Sequence, residues 1–157
     1  MSAPSETDPV LRRLEENLKG REKAGKRFLD TNVVVYAFRH GDRRQALARE
    51  LVASCGVISV QTLNEFTNVA RRKLGKEWKD VRAALRLICA SCAEVASVTL
   101  RTHERGLRIA EEYGYGIFDA LIIAAALEAS CDVLYSEDLQ HGQKIEGLVI
   151  RNPFPRE

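Results

Sequence analysis

The chain has 157 residues, 45% of them apolar, and its 24 Lys and Arg against 22 Asp and Glu leave a formal net charge of +2. That size suits one domain burying about two-thirds of the surface its unfolded form exposes, and the near balance of charge excludes nucleic-acid binding by bulk positive charge, leaving only local patches for it. No apolar run reaches the roughly 18 residues that span a bilayer, and the N-terminus lacks a signal peptide's apolar core; the expectation is no membrane and a cytoplasmic protein, with Cys55, Cys89, Cys92 and Cys131 as reduced thiols.

Residues 1–26 read as an N-terminal extension in front of a domain over 27–157. Residues 1–8 have the character of a disordered tail, and Asp8-Pro9 opens a short helix with Val10, Leu11, Leu14 and Leu18 on one side and Gly20 as its stop. The basic segment that follows, with Arg21, Lys23, Lys26 and Arg27, is either a solvated linker or a track for a phosphate backbone.

Lys26 to Asp30 reads as the first strand. Val33 to Phe38 is β-branched enough for a strand, yet Asp30-Thr31-Asn32 before it is a helix-start signal, and the residues alone leave both open. After a polar break at Arg39 to Arg44, Ala46, Leu47, Leu51 and Val52 mark a helix ended by Gly56. Gly56 to Val60 is a second buried strand running directly into a helix over 61–74 with Leu63, Phe66, Ala70 and Leu74 on one face. A helix from about Asp80 carries Val81, Ala84, Leu85, Ile88, Cys89 and Cys92 as its apolar stripe. Its C-x-x-C lacks the second ligand pair a zinc site needs, so both cysteines are expected in the core. Glu94 to Leu100 alternates as a third strand, Thr102 to Tyr113 forms a helix closed by Gly114, and Ala120 to Ala129 is apolar nearly all round, as befits a buried helix. Val133 to Tyr135 is a fourth strand and Leu148 to Ile150 a fifth. Strands alternating with helices predict an α/β domain on a parallel sheet with right-handed crossovers.

Asp30 and Asp138 then each follow a strand, Glu65 lies early in the helix after the second strand, and Asp119 opens the most buried helix. Open parallel sheets place their chemistry beyond the carboxyl ends of the strands. Four carboxylates gathered there repel one another unless a cation neutralises them, and hard oxygen ligands with room for water and phosphate suit Mg²⁺ or Mn²⁺. Each acid also has an ordinary structural role available: Asp30 or Asp119 as a helix cap, Asp138 as an exposed turn residue, and Glu65, nearly opposite Leu63 and Ala70 on the helical wheel, as a solvent-facing side chain.

The series Phe28-Leu29-Asp30-Thr31-Asn32, Ile58 to Phe66, Gly116 to Ile122, Ser136 to Gly142 and Asn152-Pro153-Phe154 resembles a PIN-domain ribonuclease of the VapC toxin type across residues 27–155. The resemblance implies a single PIN-like domain, a three-layer α/β/α sandwich whose parallel sheet has the order 3-2-1-4-5, with Val33 to Phe38 helical. It implies Asp30 and Asp119 as principal ligands of Mg²⁺ or Mn²⁺, Glu65 and Asp138 completing the catalytic pocket, and Asn32 and Ser136 as polar support. The chemistry implied is hydrolysis of RNA by a water whose pKa the cation lowers. The implied partners are the RNA substrate, a small cognate antitoxin protein and a second copy in a homodimer. Arg39, Arg43 and Arg44 after the first motif, and Arg71, Arg72, Lys73, Lys76 and Lys79 after the Glu65 helix, are candidates for holding RNA; as isolated charge runs they are more often solvated faces. The first 26 residues depart from the family pattern and read as a regulatory arm, a dimerisation element or an over-long start.

Two other readings compete. One is a catalytically silent PIN-like RNA-binding or scaffold module, which the presence of all four acids disfavours. The other is a haloacid-dehalogenase-like phosphatase, which needs an Asp two residues after the first, where this chain has Asn32.

Overall fold

The computed structural model describes residues 25–154, and the expected N-terminal helix and most of the basic linker lie outside the described residues. Strand β1 (Arg27–Leu29) occupies the interior of the sheet because both of its faces are covered: Phe28 enters one hydrophobic core and Leu29 the other. The same alternation continues in β2 (Val57–Ser59), where Val57 joins Phe28 and Ile58 joins Leu29, and in β4 (Val133–Tyr135), where Leu134 joins Phe28. Register follows from this pattern, since a slip of one residue would turn every side chain to the wrong layer. Phe28 pairs with Val57 on one side and with Leu134 on the other, all parallel.

One helical layer consists of α5 (Leu100–Tyr113) and α6 (Ile117–Glu128), in which Ala120 to Ala126 are all buried, as expected for a helix apolar on every side. The two approach closely at Gly106, where an added methyl would stand 3.0 Å from the Leu121 side chain. The opposite layer holds α1 (Thr31–Ala37), α2 (Gln45–Ala53), α3 (Val60–Arg72) and α4 (Trp78–Ser91). With β3 (Glu94–Ala96), β5 (Lys144–Ile145) and β6 (Leu148–Arg151), the sheet order is β3-β2-β1-β4-β6-β5. The expected parallel order 3-2-1-4-5 is therefore present, its fifth member being β6. The difference is β5, a two-residue strand that pairs antiparallel to β6 through a turn at Glu146 and Gly147, both with positive φ.

Several boundaries shift for identifiable reasons. Val33 to Phe38 is helical, as the resemblance implies, because Asp30 caps α1 by accepting the Thr31 N–H at 2.6 Å. The third strand ends at Ala96 rather than Leu100, and α5 starts earlier than Thr102. There the Thr99 side chain accepts from the Thr102 N–H while the Thr102 hydroxyl accepts from the Thr99 N–H, a reciprocal cap that stops the strand. Helix α6 starts at Ile117, with Gly116 as its cap, so Asp119 is a first-turn residue and not the cap itself. The expectation that Cys89 and Cys92 are core residues fails for Cys89, which is exposed, and Cys92 is half-buried. Only Val81 and Ile88 of α4 are fully buried, so the helix meets the core along a stripe narrower than its apolar sequence. Among the described residues no helix is long and apolar enough to cross a membrane.

Candidate active site

The chain leaves β1 at the switch point of the sheet, where successive connections depart in opposite directions. Asp30 lies there, at the carboxyl end of β1, with its own N–H donating to the Tyr135 carbonyl at 3.0 Å. It is 4% exposed. Its Oδ1 accepts from the Thr31 N–H, and its Oδ2 accepts from the Ser136 hydroxyl at 2.7 Å and lies 3.2 Å from the Asn32 amide nitrogen. Ser136, directly after β4, also accepts the N–H groups of Asp138 and Leu139 and so pins the start of that loop. The Asn32 amide nitrogen lies 3.3 Å from Ser136 Oγ and 3.1 Å from Asp138 Oδ2, and its oxygen accepts the Glu137 N–H. Asn32 thereby ties the first acidic segment to the last.

The third acid arrives from α3. Ser59 caps this helix reciprocally with Thr62 directly at the end of β2, so Glu65 stands in the second turn and leans over the strand ends. It is half-buried rather than solvent-facing: Oε2 accepts the Thr31 hydroxyl at 2.6 Å and Oε1 the Gln61 amide at 3.0 Å. Asp119 is positioned by the first turn of α6, where the exposed peptide N–H groups favour a negative charge. All four acids line one cavity of about 350 Å³ together with Thr31, Asn32, Tyr36, Asn68, Arg39 and Lys73.

The electrostatics of the cleft follow from its composition. Burial pushes the Asp30 carboxyl up to about 7; the Ser136 and Thr31 hydrogen bonds oppose this, and the charges of Glu65 and Asp119 add to it. Asp119 is raised as well, first by burial and then by Glu65 and Asp138. The acids are therefore close enough to perturb one another. Among the described residues no three acidic, His or Cys side chains already converge at ligand distance. Magnesium needs less than that, because it is held through one or two carboxylates and keeps several waters. The donors present are all hard oxygens, the set that suits Mg²⁺ or Mn²⁺.

The cationic candidates separate. Arg39 lines the cleft, and so does Lys73, the residue that ends α3 and a member of the basic run expected there. Arg44 is occupied elsewhere: it pairs with both oxygens of Asp42 and of Glu137 and lies 3.6 Å from the centre of the Tyr36 ring. Arg71 sits over the Trp78 ring, 4.7 Å from its centre, and donates to the Lys76 carbonyl. Arg43 and Arg72 are exposed and outside the cleft lining. Thr31 and Gln61 are site residues that sequence reasoning did not select; the only signal for Thr31 was its place inside the Asp30-Thr31-Asn32 segment.

This fold and this cleft define the class: a model of the PIN domain matches residues 27–144, and the chain belongs to that family. Solved structures agree on the fold. VapC20 of Mycobacterium tuberculosis, described as a toxin cleaving the sarcin–ricin loop, superposes with a TM-score of 0.61 at 21% identity, covering 72% of this chain and 92% of that one. A toxin–antitoxin complex from Klebsiella pneumoniae gives 0.60 at 22% identity, covering 79% and 96%. VapBC2 of Rickettsia felis, bound to a fragment of its promoter DNA, gives 0.59 at 20% identity, covering 80% and 97%. A comparison with curated proteins returns no match.

Proposed function

We propose that this chain is a Mg²⁺- or Mn²⁺-dependent endoribonuclease, the toxin half of a toxin–antitoxin pair, acting in the cytoplasm as a homodimer and silenced by a small antitoxin protein. The observation that carries the reading is the gathering of Asp30, Glu65, Asp119 and Asp138 in one cleft, where two of them are driven toward the protonated form by burial and by their neighbours. The toxin–antitoxin complexes among its structural neighbours support the partner. Leu100 and Leu107, seven residues apart on α5 and 72% and 49% exposed, support a copy-to-copy contact.

When bound, the divalent ion supplies positive charge to the scissile phosphate and lowers the pKa of the attacking water. The chain's own residues do the rest. Asp30 and Asp119 would hold the ion, with Ser136, Asn32 and the Thr31 N–H fixing the Asp30 carboxylate. Thr31 and Gln61 orient Glu65 from both of its oxygens, leaving it aimed across the strand ends. Arg39 and Lys73 offset the repulsion that the acids would exert on an approaching phosphate backbone. No nucleophilic side chain is required.

The test is cleavage of a fluorogenic single-stranded RNA with Mg²⁺, with Mn²⁺ and with EDTA, repeated with Asp30→Asn and Asp119→Asn. Cleavage that EDTA and both substitutions abolish is the expected result. Cleavage indifferent to them, or none with either ion, overturns the reading.

A further inference from the structure

A second cavity of about 270 Å³ adjoins the acidic cleft and is lined by Gln61, Asn64, Glu65, Asn68 and Phe118. Glu65 and Asn68 belong to both cavities, so the two are adjacent. Their chemistry differs. The first holds four acids and two cations, whereas the second holds three side-chain amides, one aromatic ring and the shared Glu65. Phe118 directly precedes Asp119 and is 63% exposed, an unusual position for a large apolar ring beside a polar site. Gln61 is engaged by Glu65, but among the described residues the Asn64 and Asn68 side chains meet no hydrogen-bond partner.

From this division of chemistry, and resting on the ribonuclease reading above, we infer that the second cavity is a subsite for one unstacked base of a single-stranded RNA, the base next to the phosphate being cut. Single-stranded RNA is recognised by stacking a splayed base on an aromatic ring and bonding its edge to polar side chains. Phe118 supplies the ring. Asn64 and Asn68 each offer an N–H donor and a carbonyl acceptor, the pair of functions that a base edge requires. The volume falls at the lower end of ligand pockets, about 300 Å³, which fits a base alone and leaves sugar and phosphate to the neighbouring cleft. A phosphate is a poor occupant because Glu65 is the only charged residue in the lining. A second copy of the chain is disfavoured too: a protein face pressed on Phe118 would bury two amides at a cost of about 1–3 kcal/mol each wherever they found no partner.

The experiment uses the full chain on a pool of short RNAs randomised at every position, with the cut ends sequenced, alongside steady-state kinetics on one preferred oligonucleotide. The expected result is a base preference at one position beside the cut. Phe118→Ala removes it and raises KM about tenfold, while kcat changes by less than about twofold and Phe118→Trp restores the wild-type values. Asn64→Ala and Asn68→Ala relax the base preference at that position and leave flanking positions unchanged. An unaltered preference and KM in Phe118→Ala overturn the inference. So does sedimentation showing that Phe118→Ala splits an oligomer, since the ring then belongs to a contact between copies.

A binding measurement separates this inference from the ribonuclease reading. Fluorescence of 2-aminopurine placed in a single-stranded oligoribonucleotide is followed on addition of protein without divalent ions. Phe118-dependent quenching without cleavage under any metal condition would sink the nuclease and keep the base site. Cleavage without such quenching would do the reverse.

Discussion

Asp30 and Asp42 both belong to networks of several polar and charged side chains, yet burial lifts the first toward the protonated form and an arginine holds the second well below the usual carboxylate range. The difference lies in where the counter-charge comes from. Around Asp42 it is internal: Arg44 forms a bidentate pair with Asp42, a second with Glu137, and stacks on Tyr36. Tyr36 is pushed up to about 12 by burial and by Glu137, remains protonated, and donates to that same carboxylate. Around Asp30 the neighbours are other acids, a hydroxyl, a peptide N–H and an amide. The first network is complete as folded. The second holds its acids in place without a cation among the groups that shift Asp30 and Asp119, a condition that suits a site taking a cation from solution.

The comparison breaks most sharply at the acids themselves. Asp30→Asn or Asp119→Asn should lower the RNA cleavage rate by on the order of 10³-fold, the scale of several kcal/mol of charge stabilisation, in the same fluorogenic assay. Equal activity in Asp30→Asn would place Asp30 with Asp42 as a structural residue.

The two networks should also respond to pH with opposite signs. Asp30 has a folded pKa of about 7 against about 3.9 for the free side chain. Between those values the folded chain binds a proton that the unfolded chain does not. Its contribution to stability is therefore full below pH ~4 and is lost as pH rises toward 7, by up to about 1.4 kcal/mol per pH unit. Asp42 behaves inversely, because its folded value is depressed; its contribution is present above pH ~4 and declines as pH falls. Urea midpoints measured in EDTA from pH 4 to 8 should show a loss on the alkaline side that Asp30→Asn flattens. Added Mg²⁺ should recover stability at the upper end, where the carboxylates are ionised.

Removing the internal cation tests the other half. Arg44→Ala strips Glu137 of its cation and leaves Asp42 with the more distant Arg39, 3.9 Å away, and should cost about 2 kcal/mol in urea unfolding, below the 3–5 kcal/mol of a fully buried pair because Arg44 and Glu137 are partly exposed. Its effect on RNA affinity should be small, although the sequence placed Arg44 among the substrate candidates. Arg39→Ala and Lys73→Ala should act the other way. Each should weaken RNA binding by a few-fold irrespective of sequence, and reduce the salt slope by about one, with folding unaffected.

What could be read from the sequence divides along a similar line. Asp30 and Asp138 stand at the junctions of apolar runs with polar residues and Asp119 interrupts an apolar run, so a linear pattern reveals them. Glu65 was a weaker case, because helical periodicity sends it outward; only the reciprocal cap at Ser59 and Thr62, which starts α3 at the very end of β2, turns it over the cleft. Thr31 and Gln61 are invisible to pattern, since their roles depend on how α1 and α3 meet. The Arg44 pairing was hidden for the same reason: Glu137 is remote in the chain. Strand β3 was overextended because Val98 and Leu100 continue an alternation that the Thr99–Thr102 cap cuts short. Strand β5 lacked any apolar run of its own, being only Lys144 and Ile145.

Asp30 does two jobs through one carboxyl group, since the oxygen that accepts the Thr31 N–H starts α1 while its companion points to Ser136 and Asn32. A lineage that gave up cutting RNA would thus be free to discard Asp138, which is exposed and caps nothing, long before it could discard Asp30. In decayed descendants of this protein the first acid should persist as a relic of folding, and its survival there should not be mistaken for surviving chemistry.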